Sequence, residues 1–585
     1  MNTAIPRPEH PNPQFYRPTY EMLNGSWEFD FDDNNVGLDQ QWYLHHTFSR
    51  TIQVPFAFQS KLSGIHDSDF HDIVWYRRTF FLEPMSDGHR AILHFGAVDY
   101  LAEVWVNGHL AGSHEGGHTP FAFDITPLLL PSENTLVVRA KDFSRDRALP
   151  RGKQYWEPQS ASIFYTSTTG IWQSVWLETV SSTRIEHLRI TPLLDQGAVE
   201  LEVSTVGTHA GCTLRIDISY QNEVIAQQEA LLTRQSNRYH LDLTGSTKGL
   251  QMWSPETPHL YDVHLELKDQ GTPVDTVKSY FGLRKISVEH GRVLLNNRPY
   301  FLRLVLDQGY FPEGVLTAPS DDALRQDVEL IKAMGFNGAR KHQKLEDPRY
   351  LYWCDTLGLL VWGEMANAYE FSWDAATRLT REWLDAVRRD YNHPCIIAWV
   401  PLNESWGVPG LSNDPRQRSF VKGLYDLTKA LDASRLVVSN DGWEHAQSDL
   451  CTIHDYEGDG ASLTARYADR PTAVHAMPGQ RPIYIAGHSD QGAPIIISEM
   501  GGISYKKSAW DGWGYSAAES EEDFIARYTA VVNAMYQSPI VQGFCYTQLT
   551  DVEQEINGLL TYDREPKVPL VIIRSITLGD GVPTK

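Results

Sequence analysis

Between residues 24 and 180 apolar side chains recur in short runs bounded by turn residues, as at 25–31, 73–80, 91–95 and 102–108. Runs of this kind predict antiparallel strands, and their succession predicts a β-sandwich of jelly-roll type. Asn107-Gly108 reads as a hairpin turn, because both residues tolerate positive φ. From 181 to about 282 the alternation is cleaner, as at 199–203 and 261–267. A span of roughly 100 residues with such strands fits an immunoglobulin-like β-sandwich, although no Cys…Trp…Cys signature accompanies it.

After residue 282 the pattern changes. Ser320 is placed to cap a helix carrying Leu324, Val328, Ile331 and Met334 on one face. Helical patterns then alternate with short, wholly apolar runs, the mark of strands buried on both faces. Strand tips fall near Asp307, Arg340, Glu364, Glu404, Asp441, Tyr456, Glu499 and Tyr546. Eight is the count for a (β/α)8 TIM barrel, whose chemistry gathers at the C-terminal ends of its strands. The chain thus predicts three domains, 1–180, 181–282 and 283–585, with room for one closing helix after the eighth strand.

Two of the tips carry candidate chemistry. One apolar run ends abruptly in Asn403-Glu404-Ser405-Trp406, and a second, 95 residues later in register, ends in Glu499-Met500-Gly501-Gly502. One carboxylate after one strand is more often a helix cap or a solvated loop charge. Two, each behind a stretch too apolar to be exposed and placed on the fourth and seventh strands, would face each other across a barrel mouth. Such a pair suits acid/base and nucleophilic work on one substrate.

Length and composition narrow the choice. A chain of 585 residues needs several cores. Its 17 Trp and 27 Tyr exceed what cores alone require, and such rings can serve as platforms for sugars. A formal charge of −23 argues against nucleic acid or an anionic membrane as partner. The N-terminus lacks a charged region followed by an apolar stretch, and no segment approaches the length of a membrane span, so a soluble cytoplasmic protein is expected. Five widely spaced cysteines predict neither disulfides nor a zinc site. The absence of a His-x-Glu-x-x-His run predicts no catalytic metal, and no cofactor is expected.

At these motifs the chain resembles glycoside hydrolase family 2, which contains β-galactosidases, β-glucuronidases and β-mannosidases. The resemblance covers nearly the whole chain through Trp75-Tyr76-Arg77-Arg78, Gly170-Ile171-Trp172-Gln173, Phe281-Gly282-Leu283-Arg284, Asp355-Thr356-Leu357-Gly358 and, most specifically, Asn392-His393-Pro394 through Asn403-Glu404. It implies a retaining exo-β-glycosidase with Glu404 as acid/base and Glu499 as nucleophile. It further implies that Asn403 binds the sugar 2-hydroxyl, that Tyr456, with His454 at the same strand end, bonds to the nucleophile, and that Arg340 keeps the nucleophile ionised. Tyr546 falls where the family commonly has a tryptophan platform, and Trp406 where the +1 side would be lined. Repulsion from Glu499 is expected to keep Glu404 protonated near neutrality.

The glycone region departs from the family pattern. Val305-Leu306-Asp307-Gln308 stands where β-galactosidases carry Asn-Arg-His-Glu, and Gln343, flanked by His342 and Lys344, replaces a second histidine. Asn557-Gly558-Leu559 stands where β-glucuronidases have the Asn-x-Lys motif for the uronate carboxylate. Asp307 and Lys344 are therefore expected to read sugar hydroxyls in another arrangement, with Lys344 or Arg303 as alternative cations for a uronate. The reading is a β-galactosidase-like enzyme acting on a neutral sugar of a glycoside or oligosaccharide. The rivals are a β-glucuronidase or another uronate- or pentose-specific member such as an α-L-arabinopyranosidase, and more remotely a non-catalytic carbohydrate-binding protein. A homo-oligomer is left open by the sequence. Loops 115–118 and 151–156 are long enough to reach a barrel mouth and narrow it to exo action.

Overall fold

The computed structural model describes residues 5–507 and 512–581, so the first four residues of the N-terminal stretch lie outside it. The first domain is a sandwich of a four-stranded and a six-stranded antiparallel sheet. Their inner faces bury Trp27, Phe29, Tyr76, Leu93, Phe95, Val104, Val138 and Leu177. Asn107 and Gly108 turn the predicted hairpin at φ 52° and 79°, between strands Leu101–Val106 and His109–Glu115. The second domain packs a three-stranded sheet on a four-stranded one. Its strand Cys212–Tyr220 buries every second residue, the period expected when one face meets the core.

The third domain holds eight parallel strands: β1 (Leu302–Asp307), β2 (Gly338–Lys341), β3 (Leu360–Glu364), β4 (Ile396–Val400), β5 (Leu436–Val437), β6 (Cys451–Asp455), β7 (Ile495–Gly501) and β8 (Val541–Thr547). The ladder runs β5-β4-β3-β2-β1-β8-β7-β6. Among the described residues β5 and β6 do not pair, and the seam has a local cause. Strand β5 has only two residues, and the chain returns to β6 through 438–450 without a helix, held by an antiparallel bridge between Val438 and Ser448. Elsewhere helices separate the strands. In α1 (Asp321–Ala333), Ser320 accepts from the Ala323 amide at 3.1 Å, and Leu324, Val328 and Ile331 are buried as the pattern required. Helix α2 (Pro348–Leu357) links β2 to β3, and a final helix, Leu570–Thr577, packs outside the barrel.

Buried polar ties lock the domains together. Asp355 accepts from the Tyr280 hydroxyl at 2.9 Å, from the Cys395 amide at 2.9 Å and from the His393 ring at 2.5 Å. Arg284 donates to the carbonyls of Pro394 and Ile396 at 2.9 and 2.6 Å. Loop 151–156 of the first sandwich docks on the barrel, with the amides of Arg151 and Gly152 donating to the Asn367 carbonyl at 3.2 and 3.1 Å. Gly152 sits there at φ 60°, and a Cβ would come within 2.3 Å of the Gln343 carbonyl oxygen, so only glycine permits this approach. None of the described helices is long and apolar enough to cross a membrane.

Candidate active site

The C-terminal ends of the strands converge on Arg340, a guanidinium with no exposure at all. Its Nη1 donates to Glu499 Oε1 at 2.6 Å and to the Ser498 carbonyl at 3.2 Å, and its Nη2 donates to Asn403 Oδ1 at 2.6 Å. The same Nη2 lies 2.8 Å from Asp441, and Nε contacts Glu364. One planar fork thereby orders side chains from β3, β7 and the loops after β4 and β5, a task for which arginine's fixed donor geometry suits it better than lysine. Burial opposes its charge, but Asp441, Glu364 and Glu499 together hold Arg340 firmly protonated.

Glu404 and Glu499 meet over His454. One carboxylate oxygen of each and a ring nitrogen lie within 4.8 Å of one another. His454 Nδ1 is 2.8 Å from Glu404 Oε1 and 3.5 Å from Glu499 Oε2, and Nε2 is 3.3 Å from Asp441. The Tyr456 hydroxyl donates to Glu499 Oε2, and stands 3.2 Å from Thr547 Oγ1. Burial would push the His454 pKa down, yet Glu499 and Asp441 raise it to about 10. Burial likewise would raise Glu404, but its hydrogen bond to His454, with Lys153 and Arg340 behind, lowers it below the ordinary glutamate value. Glu499 is lowered too, burial being outweighed by His454 and Arg340. Against the expectation that repulsion keeps the proton on Glu404, the three carboxylates around His454 favour the ring as its place.

The backbone around Glu404 is unusual. Glu404 and Ser405 both adopt left-handed conformations, at φ 52° and 59°. They are fixed by the Glu404 amide donating to the Asp441 carbonyl at 2.9 Å, the Ser405 amide to Asn440 Oδ1 at 2.8 Å and the Ser405 hydroxyl to Glu444 at 2.5 Å. Two consecutive non-glycine residues at positive φ are held against a steric cost, as is common at functional sites. The Gly501-Gly502 pair beyond Glu499 also turns at positive φ, 85° and 59°.

The other sequence candidates divide. Asn403 gives its Oδ1 to Arg340, and its Nδ2 makes no hydrogen bond among the described residues. Asp307 accepts from Lys341 at 2.9 Å and from the Gly309 amide at 2.8 Å, forming a buried ion pair beside the site. Lys344 does not present a free donor: its Nζ is taken by the carbonyls of Gly309 and Leu316 at 2.6 and 2.8 Å and by Glu346 at 3.0 Å. Arg303 is bonded to the Gly335 carbonyl, at the strand-start end of the barrel. Tyr546 lies wholly buried against Tyr528 of a barrel helix rather than at the mouth. Side chains alternate along a strand, so a residue one place from an inward position faces the helices, and Thr547 faces in instead. Trp406 joins Tyr369 and Phe164, at ring distances of 5.0 and 6.1 Å, in an aromatic wall that includes Trp156 from the first sandwich.

Sequence reasoning assigned no role to Asp441 or Glu364, though it placed both at strand tips, and it missed Lys153, Glu555 and Tyr515. Tyr515 stacks on Tyr456 with centroids 3.4 Å apart. Lys153 was signalled only by the length of its loop.

A barrel presenting two carboxylates at this spacing, with an aromatic wall, is the arrangement of a glycoside hydrolase. The chain belongs to glycosyl hydrolases family 2, as the resemblance implied: residues 20–180 match the family's sugar binding domain, 183–284 its following domain and 286–578 its TIM barrel domain. It is 28% identical to a putative beta-glucuronidase of Formosa agariphila over 71% of this chain and 50% of that one. It is 26% identical to a beta-galactosidase of Thermoanaerobacter pseudethanolicus over 71% and 53%. The chain thus spans about half the length of these relatives. Its fold is that of Bifidobacterium dentium beta-glucuronidase complexed with coumarin-3-O-glucuronide, with a TM-score of 0.79, 22% identity and coverage of 96% and 98%.

Proposed function

We propose that the protein is a retaining exo-β-glycosidase acting on a neutral sugar, with Glu499 as nucleophile and the Glu404–His454 pair as acid/base. The observation that carries this reading is the approach of both carboxylates and His454 within 4.8 Å, since a retaining pair stands about 5 Å apart, too close to admit an attacking water between them. Arg340 and Tyr456 donate to Glu499 and keep it an ionised nucleophile.

The charges order the steps. Glu499 attacks the anomeric carbon while the pair delivers its one proton to the departing oxygen, through Glu404 with resupply from the ring. Esterification then removes the Glu499 charge, the first of the attractions that raise His454. The ring stays neutral, and Glu404 is left as the base that deprotonates the incoming water. The aromatic wall of Trp156, Phe164, Tyr369 and Trp406 beside Glu404 suits the aglycone, the side on which the acid must stand.

Neutral specificity rests on charge. Lys344 and Arg303, the two cations that the sequence offered for a uronate, are spent elsewhere, and the carboxylates of Glu404, Glu499 and Glu555 disfavour a further anion beside them. The test is hydrolysis of aryl β-galactoside, β-glucoside, β-mannoside, β-glucuronide, β-galacturonide and α-L-arabinopyranoside by wild type and Glu499→Gln. Turnover of a neutral member, lost by at least about 1000-fold in the variant, is expected. Equal turnover by both proteins would sink the assignment of Glu499.

A further inference from the structure

Lys153 is nine-tenths buried, with 7% exposure, yet its Nζ makes no hydrogen bond or ion pair among the described residues. Its nearest ring contacts are Phe164 and Tyr165, with centroids 5.8 and 6.0 Å away. A buried ammonium with all its donors unmet is costly unless a partner arrives. The side chain belongs to the first sandwich but stands over the barrel, because Gly152 is clamped between the Asn367 carbonyl and the Tyr369 hydroxyl. Across from it lies Glu555, 2% exposed, on the loop after β8. Glu555 is aimed by the Tyr165 hydroxyl at 2.6 Å on Oε2 and by Asn557 Nδ2 at 3.0 Å on Oε1. Each oxygen then has one lone pair left.

Further unmet polar atoms share this wall. Gln343, at φ 49°, has both amide atoms buried without a partner, and the Tyr310 hydroxyl is likewise unpaired. Both line one small cavity with Lys153 and His342, of about 10 Å3. The Lys153 charge acts on Glu404 and Glu555 alike.

We infer that Lys153 and Glu555, brought together from the first sandwich and the barrel, form the donor and acceptor that recognise hydroxyl groups of a neutral glycone. This rests on the retaining exo-glycosidase reading above. Lysine donates to hydroxyl oxygens and glutamate accepts from hydroxyl protons, so the couple can hold both ends of a hydroxyl pattern beside the aromatic wall. A site that binds hydroxyls through buried charged groups discriminates strongly against sugars lacking them, since the unmatched groups stay unpaired.

The test compares wild type, Lys153→Met, Lys153→Gln and Glu555→Gln, each checked for native circular dichroism, on matched aryl glycosides that differ only in the C6 carboxylate. Glu499→Gln runs alongside. The expected result is wild-type preference for the neutral member and a fall in kcat/KM of about 10- to 100-fold in each folded variant. The loss should be steep for the preferred glycone and insensitive to the aryl leaving group. Folded Lys153 and Glu555 variants within about 3-fold of wild type would overturn the inference and leave the glycosidase reading standing. Wild-type preference for the uronide, lost in Lys153→Met, would also overturn it, making Lys153 a carboxylate reader. Activity that survives in Glu499→Gln would instead sink the underlying reading. Glu555→Gln, on a separate loop, decides the matter if the Lys153 variants do not fold.

Discussion

In the mechanism proposed for this site the acid is a pair of residues, Glu404 and His454. Repulsion from a neighbouring carboxylate alone would leave the proton on Glu404, but His454 lies between them and is the better base in that field. The consequence is a basic limb set by the imidazolium. A folded-site pKa raised to about 10 means that the proton is present at neutrality and is lost only as pH climbs towards that value. In His454→Gln the proton must reside on the Glu404 carboxyl. The basic limb of the kcat/KM profile should then move to lower pH by more than about one unit, with a fall in kcat. An unmoved limb would show that His454 holds Glu404 in place without sharing its proton. Arg340 is the complementary case, a cation whose function at this scale is to keep Glu499, Asp441 and Asn403 in one plane.

At the level of elements, the barrel positions chemistry by where strands stop. Glu404 stands on the turn four residues beyond β4 and Glu499 within the last residues of β7, because each apolar run is buried on both faces and gives way to polar residues only near the mouth. That rule made Glu404, Glu499, Asn403 and Arg340 legible in the sequence. It failed for Tyr546, because a strand tip known to within one residue leaves the facing undetermined, and it failed for Lys344, because partner carbonyls from Gly309 and Leu316 leave no mark in composition. The seam between β5 and β6 was hidden for a similar reason: an apolar pair such as Leu436–Val437 does not reveal that its strand is only two residues long. Elements also depend on the ties between them. Asp355, near the end of α2, satisfies three buried donors from two segments, Tyr280 and the stretch 393–395. Asp355→Ala should cost at least about 3 kcal/mol and lower the midpoint of thermal unfolding followed by circular dichroism. A midpoint unchanged from wild type would show that the three donors find other acceptors.

Across the whole molecule, the first sandwich and the barrel meet at the candidate site. The jelly-roll and immunoglobulin-like folds were readable from strand patterning, and the barrel from its eight tips, because each depends on local periodicity. Lys153 and the aromatic pair Trp156 and Phe164 were not, because their place depends on how one domain seats on another. The first sandwich docks loop 151–156 on the barrel against Gln343 and Asn367 and brings Trp156 and Phe164 into the aromatic wall beside Trp406. The proposed mechanism turns on a covalent intermediate at Glu499. Its most direct measurement is incubation with the 2-deoxy-2-fluoro glycosyl fluoride of the best panel sugar, followed by intact-mass and peptide mass spectrometry. The account predicts one added glycosyl unit, carried by the peptide containing Glu499 and absent in Glu499→Gln. Inactivation without a mass increase, or label on another residue, would contradict it.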